Sequence, residues 1–422
     1  MRKKMIALAL TSAFFMEQAV AAQPTLEEKL EILQQEIEAL KVQMNNNQVA
    51  QSKSSTISLA SDMPGYDASA TGGKRFDYGQ SPTVIGGYGE AIYNNYRDSS
   101  VKDQADLRRF VLFFGHKFND RLRFNSELEI EHSWIEGGEG GEVAMEQAYL
   151  EYAISDKINT RAGLMLMPIG ITNETHEPPT FYGVERNQVE SLIIPSTWRE
   201  LGLSAQGEAL PGLEYNVGIS TSLNAGKFKK PENGLRESRT AGGEAAANDL
   251  GFFGALNYRG VPGLLVGGSV FSGNTGQDGA SNAALKGVAA RVTLWDLHAN
   301  YTVGGLDLQA LYARGTMNDA DKVSAATGVV APKSLYGWYT QAAYHVWKKG
   351  DFDVAPFIRY ERYNTQASVA DGYASDPLNN ETVTTMGVNF KLHPQVVLKA
   401  DIQNFKTDNK KDRYNLGIGY MF

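Results

Sequence analysis

The chain has 422 residues, no cysteine and a formal charge of −8. That excludes disulfides, thiolate metal sites and cysteine nucleophiles, and it argues against nucleic acid as a partner. Charged residues at 21% and a negative mean hydropathy argue against a bundle of membrane-spanning helices, but a β-barrel passes that test because half of every strand faces water.

Met1 to about Ala22 reads as a secretory signal. Arg2, Lys3 and Lys4 open it, Ile6 to Met16 is apolar, and Ala19-Val20-Ala21-Ala22 offers small-residue cleavage sites. Leu26, Leu30, Leu33, Ile37, Leu40 and Met44 then recur in steps of four and three. That a/d seam predicts a periplasmic coiled-coil helix over 23–45. So short a helix gains most by pairing with copies of itself. A helix lying on a surface is the alternative, and the Leu/Ile pattern leaves two and three chains open. Residues 46–82 form a linker rich in Ser, Gly, Asn and Gln, with breakers at Pro64-Gly65 and Gly72-Gly73. As a flexible coil it would reach roughly 30–35 Å.

From 83 to 422 the pattern is period-two alternation punctuated by turns. Short turns (Asn119-Asp120, Ser155-Asp156-Lys157, Ala209-Leu210-Pro211-Gly212, Gly260-Val261-Pro262, Val303-Gly304, Lys348-Lys349-Gly350 and His393-Pro394-Gln395) alternate with longer polar loops. This predicts an all-β transmembrane barrel of about 16 antiparallel strands in a bacterial outer membrane, with lipid around it. Outward parity falls on Phe110, Leu112, Phe114, Leu128, Leu297, Tyr301, Ile358 and Tyr360. Tyr93, Tyr152, Tyr258, Tyr301, Tyr344 and Tyr420 sit near strand ends, as girdle residues do. Arg291 breaks its strand's parity, which predicts a bulge or a snorkelling side chain. The chain ends on Phe422, on the greasy parity of Tyr414, Leu416, Ile418 and Tyr420, opposite Gly417 and Gly419. That terminal aromatic is the expected signal for the barrel-insertion machinery.

The inward parity is charged. Arg109, Arg123, Arg161, Arg359, Lys399 and Arg413 face Glu90, Glu127, Glu129, Glu131, Glu151, Glu200, Glu214, Asp296, Asp307, Glu361 and Asp401. Arg109 with Glu131 and Glu151 with Arg161 are expected cross-strand pairs. A barrel this wide leaves a water channel, and one loop is composed to narrow it. Residues 168–198 hold Phe181, Tyr182, Leu192, Ile193, Ile194 and four prolines, so this loop packs on something. Folded into the lumen, it would bring Glu174, His176, Glu177, Glu185, Arg186 and Glu190 to a constriction faced by Arg123, Arg161 and Arg359. A zinc site at Glu174, His176 and Glu177 lacks a second nearby histidine. Nothing marks a nucleophile elbow. Neither metal nor cofactor is expected, and no enzyme.

Arg-Arg-Phe-Val-Leu-Phe-Phe-Gly-His at 108–116, Glu-Gln-Ala-Tyr-Leu-Glu-Tyr at 146–152 and Arg-Ala-Gly-Leu-Met-Leu-Met-Pro-Ile-Gly at 161–170 resemble the phosphate-selective porin O and P family. The resemblance spans about 84–422. It implies a sixteen-stranded trimeric channel with the third loop folded inside, and ladders of Arg and Lys selecting anions. The residues themselves point to a passive channel for small hydrophilic solutes and ions, weakly cation-preferring or nearly unselective, because inward carboxylates outnumber inward cations. A structural tether between barrel and envelope is the remaining alternative.

Overall fold

The computed structural model describes residues 66–67, 75–76, 81–133 and 140–422. The signal, the 23–45 helix with Leu26, Leu30, Leu33, Ile37, Leu40 and Met44, and most of the 46–82 linker lie outside the described residues. Within the linker, Tyr66–Asp67 pairs antiparallel with Arg75–Phe76.

The remainder builds one closed antiparallel barrel. Its strands are β1 Thr83–Tyr96, β2 Gln104–Lys117, β3 Leu122–Glu131, β4 Glu142–Ser155, β5 Ile158–Leu166, β6 Arg199–Leu210, β7 Leu213–Thr221 and β8 Leu250–Tyr258. There follow β9 Leu264–Gly273, β10 Val292–Val303, β11 Leu306–Met317, β12 Pro332–Tyr344, β13 Phe352–Val369, β14 Asn380–His393, β15 Val396–Phe405 and β16 Arg413–Met421. β12 resumes beyond His345 and Val346 as Trp347–Lys349, and both pieces pair with β13. They count as one strand, so the barrel has the sixteen strands expected from the spacing of the turns. Each strand pairs with its chain neighbours, and β16 closes on β1 from Arg413↔Tyr96 to Met421↔Tyr88. At one end the connections are short; at the other they are the long loops L1 to L8, of which L3 spans 167–198 and L4 spans 222–249.

Alternation explains the sheet. Leu297, Ile358 and Leu416 are exposed on the outer face, while Asp296, Arg359 and Asn415 are buried on the inner one. A closed barrel leaves no backbone edge to the lipid, and the outer side chains supply the apolar band. The seam is tied by the terminal residue. Gly87 N donates to Phe422 O and Phe422 N to Gly87 O, each at 2.9 Å, and the Phe422 ring stacks near Phe110 at 6.4 Å.

Three expectations need correction. Arg291 is not in a strand: it precedes β10, and its Nε donates to Asn274 Oδ1 at 3.0 Å, so neither bulge nor snorkelling is involved. Arg109 lies opposite Glu131 in register, but its guanidinium pairs with Glu90 at 2.9 Å and Glu129 at 3.2 Å. The inner face is also not uniformly polar. Tyr88, Val111, Phe113 and Met421 form a buried apolar cluster there. Inward apolar residues are tolerated because the lumen is partly filled by protein rather than by water.

Candidate functional site

L3 folds into the barrel. Its two legs are tied at the root by Asn173. The Asn173 side chain donates to Met167 O at 2.7 Å and Trp198 O at 3.0 Å, and it accepts from Trp198 N at 2.7 Å. Ile169, Val189, Ile193, Ile194 and Trp198 are fully buried against Leu223, Phe228 and Leu235 of L4 and the inward Phe253, Phe271 and Leu294. Each such side chain contributes about 1.5–3 kcal/mol on leaving water. This is the packing that the apolar composition of the loop required.

From that root the loop crosses to the β10–β16 wall, where polar side chains bind its backbone. Gly170 N donates to Asp296 (3.0 Å), Val184 N to Asp401 (2.6 Å) and Gln188 N to Glu361 (2.6 Å). Asn389 holds Phe181 O at 3.1 Å. Arg359 donates to Tyr182 O at 3.1 Å and Glu185 O at 3.3 Å, with its Nε on Glu361 at 2.9 Å. Lys399 places its ammonium over the Phe181 ring at 3.5 Å from the centroid. A buried carboxylate is tolerable only with such donors, and a non-helical loop is tolerable at membrane depth only with such acceptors.

The tiny face of the last strand lies on the same wall. A Cβ on Gly419 would meet Pro178 Cβ at 2.2 Å, and one on Gly417 would meet Val184 Cγ1 at 3.1 Å. Gly337 of β12 plays the same part under Val189 and Ile193, each 3.0 Å from a built Cβ. The alternation of aromatic and glycine at the C-terminus thus has two readers, lipid outside and L3 inside.

The residues expected at the constriction divide. Glu190 is not presented to the passage: its carboxylate accepts from Ile171 N and Thr172 N, both at 2.7 Å, and from Tyr339 Oη at 2.7 Å. Glu177 is fully buried as well. His176 is buried with Nδ1 3.0 Å from Asn173 O, and its Nε2 lies 3.4 Å from Glu146. Glu127, Glu146 and His176 have polar atoms within 4.8 Å of one another, and Arg109 and Arg186 face Glu146. Glu174 and Arg186 are half-buried, and Glu185 pairs with Arg108 at 2.9 Å. Arg359 stands under the loop rather than across from it. Arg123 and Arg161 lie on the wall away from the docked tip, half-buried and buried, and Arg161 pairs with Glu151 at 2.9 Å as expected. Glu131 faces Arg236 and Arg239. Arg413 donates to Gln403 at 2.7 Å beside Tyr96 and Phe405.

Comparison with known proteins bears on what this architecture serves. A family model described as phosphate-selective porin O and P matches residues 86–414. The chain belongs to the phosphate-selective porin O and P family. An uncharacterized protein of Aquifex aeolicus (strain VF5) is 37% identical over 355 residues, covering 80% of this chain and 79% of that one. The fold is similar to Salmonella typhi OmpF in complex with daunomycin, with a TM-score of 0.55 and 12% identity over 81% of this chain and 97% of that chain. It is likewise similar to a loop L8 deletion mutant of OmpT from Vibrio cholerae, with a TM-score of 0.51 and 12% identity over 81% and 99%. These likenesses are of fold.

The molecule is therefore an outer-membrane porin channel. Sequence reasoning missed two parts of this porin. L4 supplies arginines that brace L3 from the loop side: Arg236 donates to Ser196 O, and Arg239 donates to Pro195 O at 3.1 Å and Thr197 O at 2.8 Å. Their spacing in 236–239 was visible, but a loop arginine carries no parity to place it. Sequence alternation also misses the inward Tyr339 and Asn389, because it says which way a side chain points and not what it meets, and His345, which lies in a break of β12.

Proposed function

We propose that this porin passes small hydrophilic solutes and ions by passive diffusion, that L3 sets its narrowest section, and that the wall adds little net field. One observation carries the reading. Inward carboxylates of the β10–β16 wall accept from the L3 backbone, and inward charges of β1–β5 pair with one another, as in Arg109 with Glu90 and Glu129 and Arg161 with Glu151. Paired charges cancel at a distance, and screening over about 8–10 Å removes the remainder beyond the eyelet. Glu174, Glu185 and Arg186 from the loop, with Arg123 from the wall, then line the passage. Glu190, His176 and Arg359 act behind them by holding the loop, and Glu177 is buried away from the passage. The reversal potential in a tenfold KCl gradient tests this. A value near zero is expected; strong selectivity of either sign would overturn it.

A second reading, anion preference, has its own support. Among the described residues, Arg186, Arg199, Arg236 and Arg239 gather about L3 and L4 with no carboxylate in salt-bridge range, and each of Arg186, Arg236 and Arg239 faces another arginine. If this reading holds, phosphate will reduce chloride current, and Arg236→Gln with Arg239→Gln will relieve that block.

The same proposal covers assembly. Residues 1–22 are removed as a signal, 23–45 form a periplasmic helix, 46–82 tether it, and three copies associate. Barrel contacts suffice for association and the helix strengthens it, so Leu33→Asp with Ile37→Asp should lower the trimer's melting on a semi-native gel. Unchanged melting would remove the helix from the account. Phe422 serves the insertion machinery, so deleting it should leave protein degraded in the periplasm, whereas normal levels of folded barrel would contradict that role.

A further inference from the structure

The tip of L3 is held by a histidine. His345 occupies the break in β12, and its backbone N–H donates to Gly305 O at 2.9 Å, in the short turn between β10 and β11. Its ring lies between two carboxylates. Nδ1 is 2.6 Å from Asp353 Oδ1 of β13, and Nε2 is 3.0 Å from Asp307 Oδ2 of β11. Tyr182, at the tip of L3, donates its hydroxyl to the same Asp307 oxygen at 2.5 Å and lies 3.2 Å from Nε2.

The proton inventory is restrictive. An ionised carboxylate accepts only, and the one phenolic proton is committed to Asp307. Both ring nitrogens must then donate, which imidazole does only when protonated. The other charges nearby are Lys391 of β14, which lines the same cavity as His345 and Asp353, and Lys348 on the resumed piece of β12, opposite Asp353 in register. The imidazolium and Lys391 thus balance Asp307 and Asp353. The His345 side chain keeps 14% of its surface exposed, so protons reach it.

We propose that His345 is a positioning residue whose imidazolium pins the tip of L3 through Asp307 and Tyr182, so that the channel's narrowest section is set by pH. This rests on the reading that L3 determines conductance. When the imidazolium loses a proton, one bare ring nitrogen confronts a carboxylate, and the charge-assisted bonds that hold the pair of strands around Tyr182 are lost. The sign follows: the clamp is closed at low and neutral pH and opens as pH rises through the titration of this ring. At the acid limit, protonation of Asp307 or Asp353 removes it again.

Single-channel conductance and current noise of the purified porin, recorded from about pH 5 to about pH 9, the range over which histidines switch, test it. Wild type should show a step with rising pH. His345→Gln should lose the step and hold the high-pH conductance throughout. Asp353→Asn, which removes one of the two stabilising carboxylates, should shift the step to lower pH. A wild-type step that persists unmoved in both variants overturns the proposal, as does a wild type with no step. If His345→Gln fails to fold, the Asp353→Asn shift decides. Gly419→Leu distinguishes a failed clamp from a loop that does not limit conductance. If that displacement of L3 leaves conductance unchanged, the reading of L3 fails; if it changes conductance while His345→Gln keeps the wild-type pH profile, only the clamp fails.

Discussion

Asp296 and Asp401 on the β10–β16 wall accept backbone N–H groups from L3, and Glu361 accepts one while also pairing with Arg359, whereas Glu90, Glu129 and Glu151 on the β1–β4 wall face arginines. Both sets are carboxylates, and both share the inward parity. One set solvates an inserted loop; the other neutralises its own wall. A tally of inward charge treats both alike and so overstates the field in the lumen. What matters is whether a charge's partner is backbone or another ion, because loop N–H groups hold a carboxylate beneath L3, away from the passage, whereas an opposite ion cancels its field at a distance.

The contrast is broken most completely at the glycine notch. Gly419→Leu puts a side chain where Pro178 already stands, at 2.2 Å from the first added carbon. Strand β16 is held on both sides by ladders to β15 and β1, so the loop must move and not the strand. Single-channel conductance should rise strongly, with the barrel intact by its heat-modifiable mobility on gels. Unchanged conductance would mean that L3 does not limit flow.

Arg359→Met should act less widely. It removes the donors to Tyr182 O and Glu185 O and leaves the buried Glu361 with only the Gln188 N–H among the bonds described above. Breaking a buried pair on one side costs about 3–5 kcal/mol. That cost falls on the docking of L3, because both lost acceptors are loop carbonyls. The expected readout is faster protease cleavage within 178–190 and greater current noise, with little change in the melting of the barrel itself.

How much of this was legible beforehand follows from the same contrast. Strand number, turn sides and the outward band could be read, since they depend on a period of two and on turn chemistry, both local. The insertion of 168–198 could be read from its apolar content. The partners could not. Register matches Arg109 to Glu131, yet its long side chain reaches Glu90 and Glu129. By sequence Glu190 reads as a passage charge, yet it folds back on Ile171 and Thr172. His345 sits where a strand breaks, so no periodicity marks it. Choices among neighbours a few ångströms apart are made by packing of distant segments, and a linear pattern does not encode them.

The ion-paired wall gives the smallest expected effect. Arg161 Nε meets Glu151 Oε2 at 2.9 Å, with both side chains buried and Gln206 donating to the same oxygen at 3.2 Å. Either Arg161→Gln or Glu151→Gln alone leaves a buried charge facing an amide, and each should lower the thermal unfolding of the barrel. The double variant replaces the pair by two amides that can bond each other and Gln206. Replacing both members of a buried pair is often neutral where removing one is not. The double variant should therefore unfold closer to wild type than either single one, and its reversal potential in a KCl gradient should match wild type. The singles should shift that potential in opposite directions, towards cations for Arg161→Gln and towards anions for Glu151→Gln. A double variant as damaged as the worse single would mean that this pair holds the wall by something other than mutual neutralisation. A potential that moves in the double would mean that its charges reach the passing ion uncancelled.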